Sequence, residues 1–208
     1  MTPILARTVL IRAALLALPL LAAAPALAQA PAAQRIRGII ERADESGLRI
    51  RSREGEDLTV ALAPDVRVSA MKAVELGSVA PGAYIGTAAM PQSDGTLRAI
   101  EVLVFPEAMR GAGEGHRGWD LLPESTMTNA TVADTVTAVE GRVLTLTYGG
   151  ERKRVVVPPD APVVTLVPAT RSDLKAGEAV FLSAQRQPDG SLRAAQVTVG
   201  KDGVAPPM

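Results

Sequence analysis

The 208-residue chain contains no cysteine, which removes disulfides, thiolate metal sites and cysteine nucleophiles at once. Rings are scarce: one Trp, two Tyr and two Phe make up 2% of the sequence. That is too few to build the stacking platforms on which single-stranded nucleic acid is held. Neither sign of charge is in excess, since 22 basic and 22 acidic side chains cancel. Such a chain has no net field to draw in nucleic acid or an anionic lipid surface. The single His leaves a Ser or Thr nucleophile only one base, and no Ser stands in a nucleophile elbow. Acidic neighbours such as Asp44-Glu45 and Glu56-Asp57 fall beside turn signals, where solvated carboxylates are expected rather than a glycosidase pair. No Gly-rich loop ends in Gly-Lys-Ser/Thr, so a phosphate-binding loop is absent as well. An enzyme is not expected.

What is present begins with an address. Arg7 and Arg12 precede an apolar run from Ala13 to Leu27, and Ala26-Leu27-Ala28 offers small residues where a signal peptidase reads. This predicts a signal peptide over residues 1–28. The run is shorter than the roughly 20 apolar residues of a comfortable membrane span. An exported, periplasmic protein is the expectation, with no membrane span after cleavage.

The remainder is written twice. Asp94-Gly95-Thr96-Leu97-Arg98-Ala99 returns 95 positions later as Asp189-Gly190-Ser191-Leu192-Arg193-Ala194. At the same offset Val66-Arg67-Val68 meets Ala161-Pro162-Val163, and Ala80-Pro81-Gly82 meets Lys175-Ala176-Gly177. A constant offset means two copies of one small unit. Within each copy the apolar period is two: Leu48 and Ile50 alternate with Arg49 and Arg51, and Leu144 and Leu146 with Thr145 and Thr147. That is the period of half-buried strands. Ser46-Gly47, Glu54-Gly55, Asp94-Gly95, Gly149-Gly150 and Asp189-Gly190 read as tight hairpin turns. Ser172 to Gly177 reads as one capped helical turn ended by Gly.

Short strands in this number are best protected by closing on themselves. The predicted fold is all-β: two tandem, small, OB-like antiparallel β-barrels, with a two-sheet sandwich as the other solution. The predicted boundaries are 35–105 for the first repeat, 106–131 for a Gly-rich central segment, 132–200 for the second repeat and 201–208 for a disordered tail. Whether the first copy closes alone or shares strands with the second is left open by the sequence.

A Gly-containing first hairpin, a Pro-Asp-x-x-Val strand, an (Asp/Glu)-Leu-x-x-Gly turn and a closing Asp-Gly-(Thr/Ser)-Leu-Arg-Ala strand resemble the DUF5666 family of exported bacterial domains. The resemblance implies an OB-like barrel and no particular activity. The second copy, Ala133 to Val199, carries the pattern better. The first places Gly77 early in its helical turn and has Val79 where the motif has Leu.

The central segment collects the rare residues. Gly111, Gly113, Gly115 and Gly118 surround the only His, His116, with the only Trp, Trp119, three positions on and the only Asn, Asn129, at the end. Loops of this kind present polar groups that a barrel interior cannot. The predicted ligand-binding residues are Glu114, His116, Trp119 and Asp120. The expected role is a non-enzymatic periplasmic binding or interaction module, its ligand or partner protein engaging a groove between the barrels near residues 115–122. The alternative is a metal-handling protein of the Cu(I) type, with His116, Met109 and Met127 as imidazole and thioether ligands and Trp119 covering the ion. A hard ion would instead use Glu114, His116 and Asp120. This segment also resembles one in exported bacterial proteins loosely labelled as metal-transport-associated, which implies the same alternative. Against both stands a plain plug, with Trp119, Leu121 and Leu122 filling the space between barrels.

Overall fold

The structure is a computed structural model that describes residues 33–138 and 141–206. The predicted signal peptide lies outside these residues. The alternation read from the sequence becomes strands almost throughout. β1 is Gln34–Ala43, β2 Gly47–Ser52 and β3 Asp57–Ala73, and β4 is Tyr84–Pro91, β5 Leu97–Ala99 and β6 Val102–Val104. β7 is Gly115–Gly118, β8 Thr126–Ala138, β9 Gly141–Tyr148 and β10 Glu151–Val157, followed by β11 Val163–Pro168, β12 Ala179–Arg186 and β13 Leu192–Gly200. β2 shows the physics plainly, burying Leu48 and Ile50 while Arg49 and Arg51 face solvent. All five hairpin signals sit at turns between consecutive strands. No helix among the described residues is long and apolar enough to cross a membrane.

β1, β2, β3, β13 and β12 pair in that order, and β12 returns to β1, so five strands close into a barrel. A second ring of pairings runs β4, β5, β10, β9, β8 and back to β4. β3 continues past the first ring to pair with β11, and β11 pairs with β6, which joins the two halves. Neither ring belongs to one copy. The first takes three strands from the first copy and two from the second, and the other ring does the reverse. Nor is the pairing antiparallel throughout: β3–β13, β5–β10 and β6–β11 are parallel. The connection between the third and fourth strand of each copy crosses to the other half, and a crossover delivers strands that run the same way.

The copies are related by an approximate twofold. Leu192 pairs with Val60, and at the repeat offset Leu97 pairs with Val155. Met71 pairs with Leu166, its own counterpart, and Ser69–Pro168 mirrors Ala73–Val164 around it. This is the self-complementary pattern of a twofold dimer interface, made inside one chain. Met71, Leu103 and Val164 form a small buried cluster there.

Each ring encloses its own core. Ile36, Ile40, Ile50, Val60, Leu182 and Val197 fill the first. Ile85, Val102, Val132, Leu144, Leu146 and Val155 fill the second. The short helical turns after β3 and β11 bring Val79 and Leu174 to matching buried positions, 0% and 5% exposed, so Val serves where the sequence motif has Leu. The second turn covers Arg171–Asp173, and its cap is Thr170 rather than Ser172, with Asp173 accepting from the Thr170 backbone N–H at 2.7 Å. At the hairpins Gly47 and Gly141 are required by contact: a Cβ on either would run into the carbonyl oxygen of Val60 or Val157.

Two boundaries differ from expectation. The central segment is not a loop to residue 131, because Thr126 to Ala130 already pair with β4 as part of β8 and Gly115–Gly118 forms an edge strand on it. The tail is not disordered over its described part. Lys201 donates to the Met71 carbonyl, Val204 packs on the Met71 cluster and Pro206 is buried. Burial of two apolar side chains outweighs the polar character of Asp202-Gly203.

Candidate functional site

β1 sets the site. Arg35 and Arg37 stand two residues apart on one face, and the chain after β7 lays Trp119 and Asp120 across them. The Asp120 carboxylate accepts from Arg37 at 2.8 Å and lies 3.4 Å from Arg35. The Arg35 guanidinium sits 4.0 Å from the centre of the Trp119 ring, with Arg117 at 5.6 Å and Arg37 at 6.0 Å. Arg37 also faces Phe181, its partner across the β1–β12 ladder, at 5.2 Å. Guanidinium faces over indole suit cation–π attraction. Ser125 holds the loop closed by donating to the Trp119 and Leu122 carbonyls.

Behind this arm lies a residue the sequence reading passed over. Glu101 is 0% exposed, and neither carboxyl oxygen has a hydrogen-bond partner. Burial pushes its carboxyl up to about 8, against the opposing pull of the Arg37 charge. It is therefore a neutral acid at pH 7. Arg37, whose side chain is only 10% exposed, keeps its Nε buried and unpartnered, as is the Trp119 Nε1. The signal was legible: a carboxylate inside the apolar run Ile100 to Phe105 has no solvated face to occupy. Its counterpart at the repeat offset, Gln196, is exposed.

Asp120 behaves in the opposite sense. Burial raises it, but the Arg37 hydrogen bond and charge, with Arg35 beside them, prevail and hold it below its ordinary 3.8.

Next to the arm runs a groove of about 470 Å³ lined by Arg37, Ile39, Ile100, Leu121, Leu122 and Pro206 among others. Ile39 and Leu122 are 45% and 48% exposed, large apolar side chains left open in one place. Leu121 and Leu122 thus form the groove wall rather than a plug. Arg49 and Arg51 on β2 are balanced by Glu41 and Asp57.

The other predicted residues are scattered. His116 lies on β7 opposite Thr128, its Nδ1 2.8 Å from the Thr128 hydroxyl and its ring stacked on Tyr148 at 6.5 Å. Burial first, then the charges of Lys153 and Arg117, hold it below its ordinary 6.5, so it is neutral at pH 7. Met127 is buried and adjacent to Thr128 on a regular strand, so it projects from the opposite face to His116. Met109 sits 38% exposed in a separate helical turn, Glu107–Met109. The His116, Met109 and Met127 set is therefore not assembled, because strand alternation separates two of its members. Glu114 accepts from the Gly149 N–H, away from Asp120. No three His, Asp or Glu come together among the described residues. Asn129 is buried and donates to the Ala112 carbonyl, tying the Gly-rich turn to β8.

Trp119→Ala is expected to cost about 2 kcal/mol, less than a fully buried aromatic because Trp119 is only half-buried. His116→Ala should cost under about 1 kcal/mol, the worth of one hydrogen bond. Urea unfolding followed by circular dichroism measures both; the reverse order would mean that the arm does not anchor the fold.

No protein-family model, no curated protein and no solved structure matches this chain.

Proposed function

We propose that the protein is a non-enzymatic, exported binding module built on two OB-like barrels, as the DUF5666 resemblance implies. Its ligand has an apolar body and occupies the groove between β1 and the Trp119–Leu122 arm. One observation carries this reading: Ile39 and Leu122 are both exposed in a concave site whose three arginines, Arg37, Arg51 and Arg53, already have carboxylate partners. Single exposed apolar residues are ordinary, but apolar residues gathered in a groove mark a binding site. The ring order β1-β2-β3-β13-β12, closed on itself with a helical turn before the fourth strand, supports the OB-like assignment. The ion pair to Asp120 leaves Arg37 to position the arm.

The test uses anilinonaphthalene sulfonate as an apolar probe, with Trp119 as the reporter beside the groove. Saturable binding that changes Trp119 emission is expected, weakened at least about tenfold in Ile39→Asp with an unchanged melting temperature. Equal binding by wild type and Ile39→Asp would overturn the proposal.

A further inference from the structure

The twofold inside this chain has a consequence for its dealings with other copies of itself. The two copies are joined mainly by strand ladders, β3 with β13 and β11, β1 with β12, β4 with β8, β5 with β10 and β6 with β11, and by a few turn contacts such as Arg171 donating to the Ala63 carbonyl and Arg142 to the Leu76 carbonyl; none depends on the copies sharing a chain. We propose that the chain has a second closed form, an exchanged dimer in which the first copy of each chain completes both barrels with the second copy of the other.

The two forms keep the same ladders, the same two cores and the same Met71–Leu166 axis. They differ in the path of the chain between β6 and β7, since β7 stays paired with the β8 of its own chain. In the single-chain form Phe105 to Ser125 runs from one side of β4 to the other, since β6 and β8 both flank that strand. With β7 kept on β8, the residues free to cross are Phe105 to Glu114, about 35 Å when fully extended, and they carry the chain from one half of the dimer to the other. The balance is then set by effective concentration: the tether favours the single chain in dilute solution, and a second chain competes as protein concentration rises. The groove is affected directly. Its β1 wall with Arg37 and Ile39 comes from the first copy and its β12 wall with Ala179 and Val180 from the second, so in the exchanged form each groove is built from two chains.

A chain without cysteine makes the test clean. Arg67 pairs with Gln196 across the parallel β3–β13 ladder. Full-length chains carrying only Arg67→Cys are mixed with chains carrying only Gln196→Cys, unfolded together, refolded at micromolar or millimolar concentration, and oxidised. The expected result is a mixed disulfide-linked dimer that rises at least about tenfold from the dilute to the concentrated refolding. The double variant in one chain, Arg67→Cys with Gln196→Cys, is the control and links internally. A second pair, Ser69→Cys with Thr198→Cys, replaces hydroxyls 3.0 Å apart and repeats the test at another rung. Internal linking in the double variants, with no mixed dimer from the single variants at any concentration, would overturn the proposal.

Discussion

Between pH 6.5 and pH 9 the wild-type protein is expected to lose about 2 kcal/mol of stability, and Glu101→Gln to lose almost none. The folded-state carboxyl is raised from 4.5 to about 8, so the fold holds a proton that the unfolded chain has already released. Stability from this group is complete below the unfolded value and is lost as pH climbs through the folded one. The whole loss is on the order of 5 kcal/mol, at about 1.4 kcal/mol per pH unit, with the last part falling in this window. Few other groups intrude. His116 is held below its ordinary 6.5, so over this window it adds at most about 0.4 kcal/mol of stability, of opposite sign, while Tyr84 and Tyr148 are raised above their ordinary 10.0 by burial first and then by Glu114 and Glu151. Urea titrations read by Trp119 emission provide the measurement. A wild-type protein equally stable at both pH values, or a Gln variant with the same slope, would show that Glu101 ionises without penalty.

Cutting the chain between its copies should not separate them. A specific protease site inserted after Gly111, an exposed position with no atom within 4 Å of where a side chain would begin, would divide the chain into β1–β6 and β7–β13. Both rings of strands would still contain strands from both pieces. The expected outcome is a single species eluting where the intact protein elutes, with unchanged Trp119 emission, and release of the pieces only in denaturant. Each piece alone would expose half of two cores, a loss far beyond the 5–15 kcal/mol by which domains are stable. Two separately eluting folded fragments would instead mean that each copy closes by itself.

Much of the fold was legible because its signals are local. Strand alternation at Leu48 and Ile50 and the Gly-containing turns at residues 47, 55, 95, 150 and 190 needed only neighbours along the chain. The repeat fixed that two equivalent halves exist. It did not say which strands complete which ring, because the register of Val60 on Leu192 is identical in kind to that of Val155 on Leu97 whether or not the chain crosses over. The site was half legible. Rarity pointed to Trp119 and Asp120, which do meet Arg35 and Arg37. It pointed equally to His116 and Met127, which share a ribbon but not a face. Glu101 lay outside the segment that drew attention, and only its apolar neighbours marked it.

Joining the two copies in one chain also freed them to diverge. A dimer of identical repeats would carry an acid at both equivalent positions or at neither. Here one mutational history gave Glu101 in the interior, beside Arg37, and another gave Gln196 in solvent. Position 37 itself corresponds to position 129 through the matching β1–β12 and β8–β4 ladders, so a guanidinium on one ring stands where a carboxamide stands on the other. Duplication followed by fusion thus turned a symmetric scaffold into one with a single distinguished face, and the titrating acid, the indole and the open groove all lie on it.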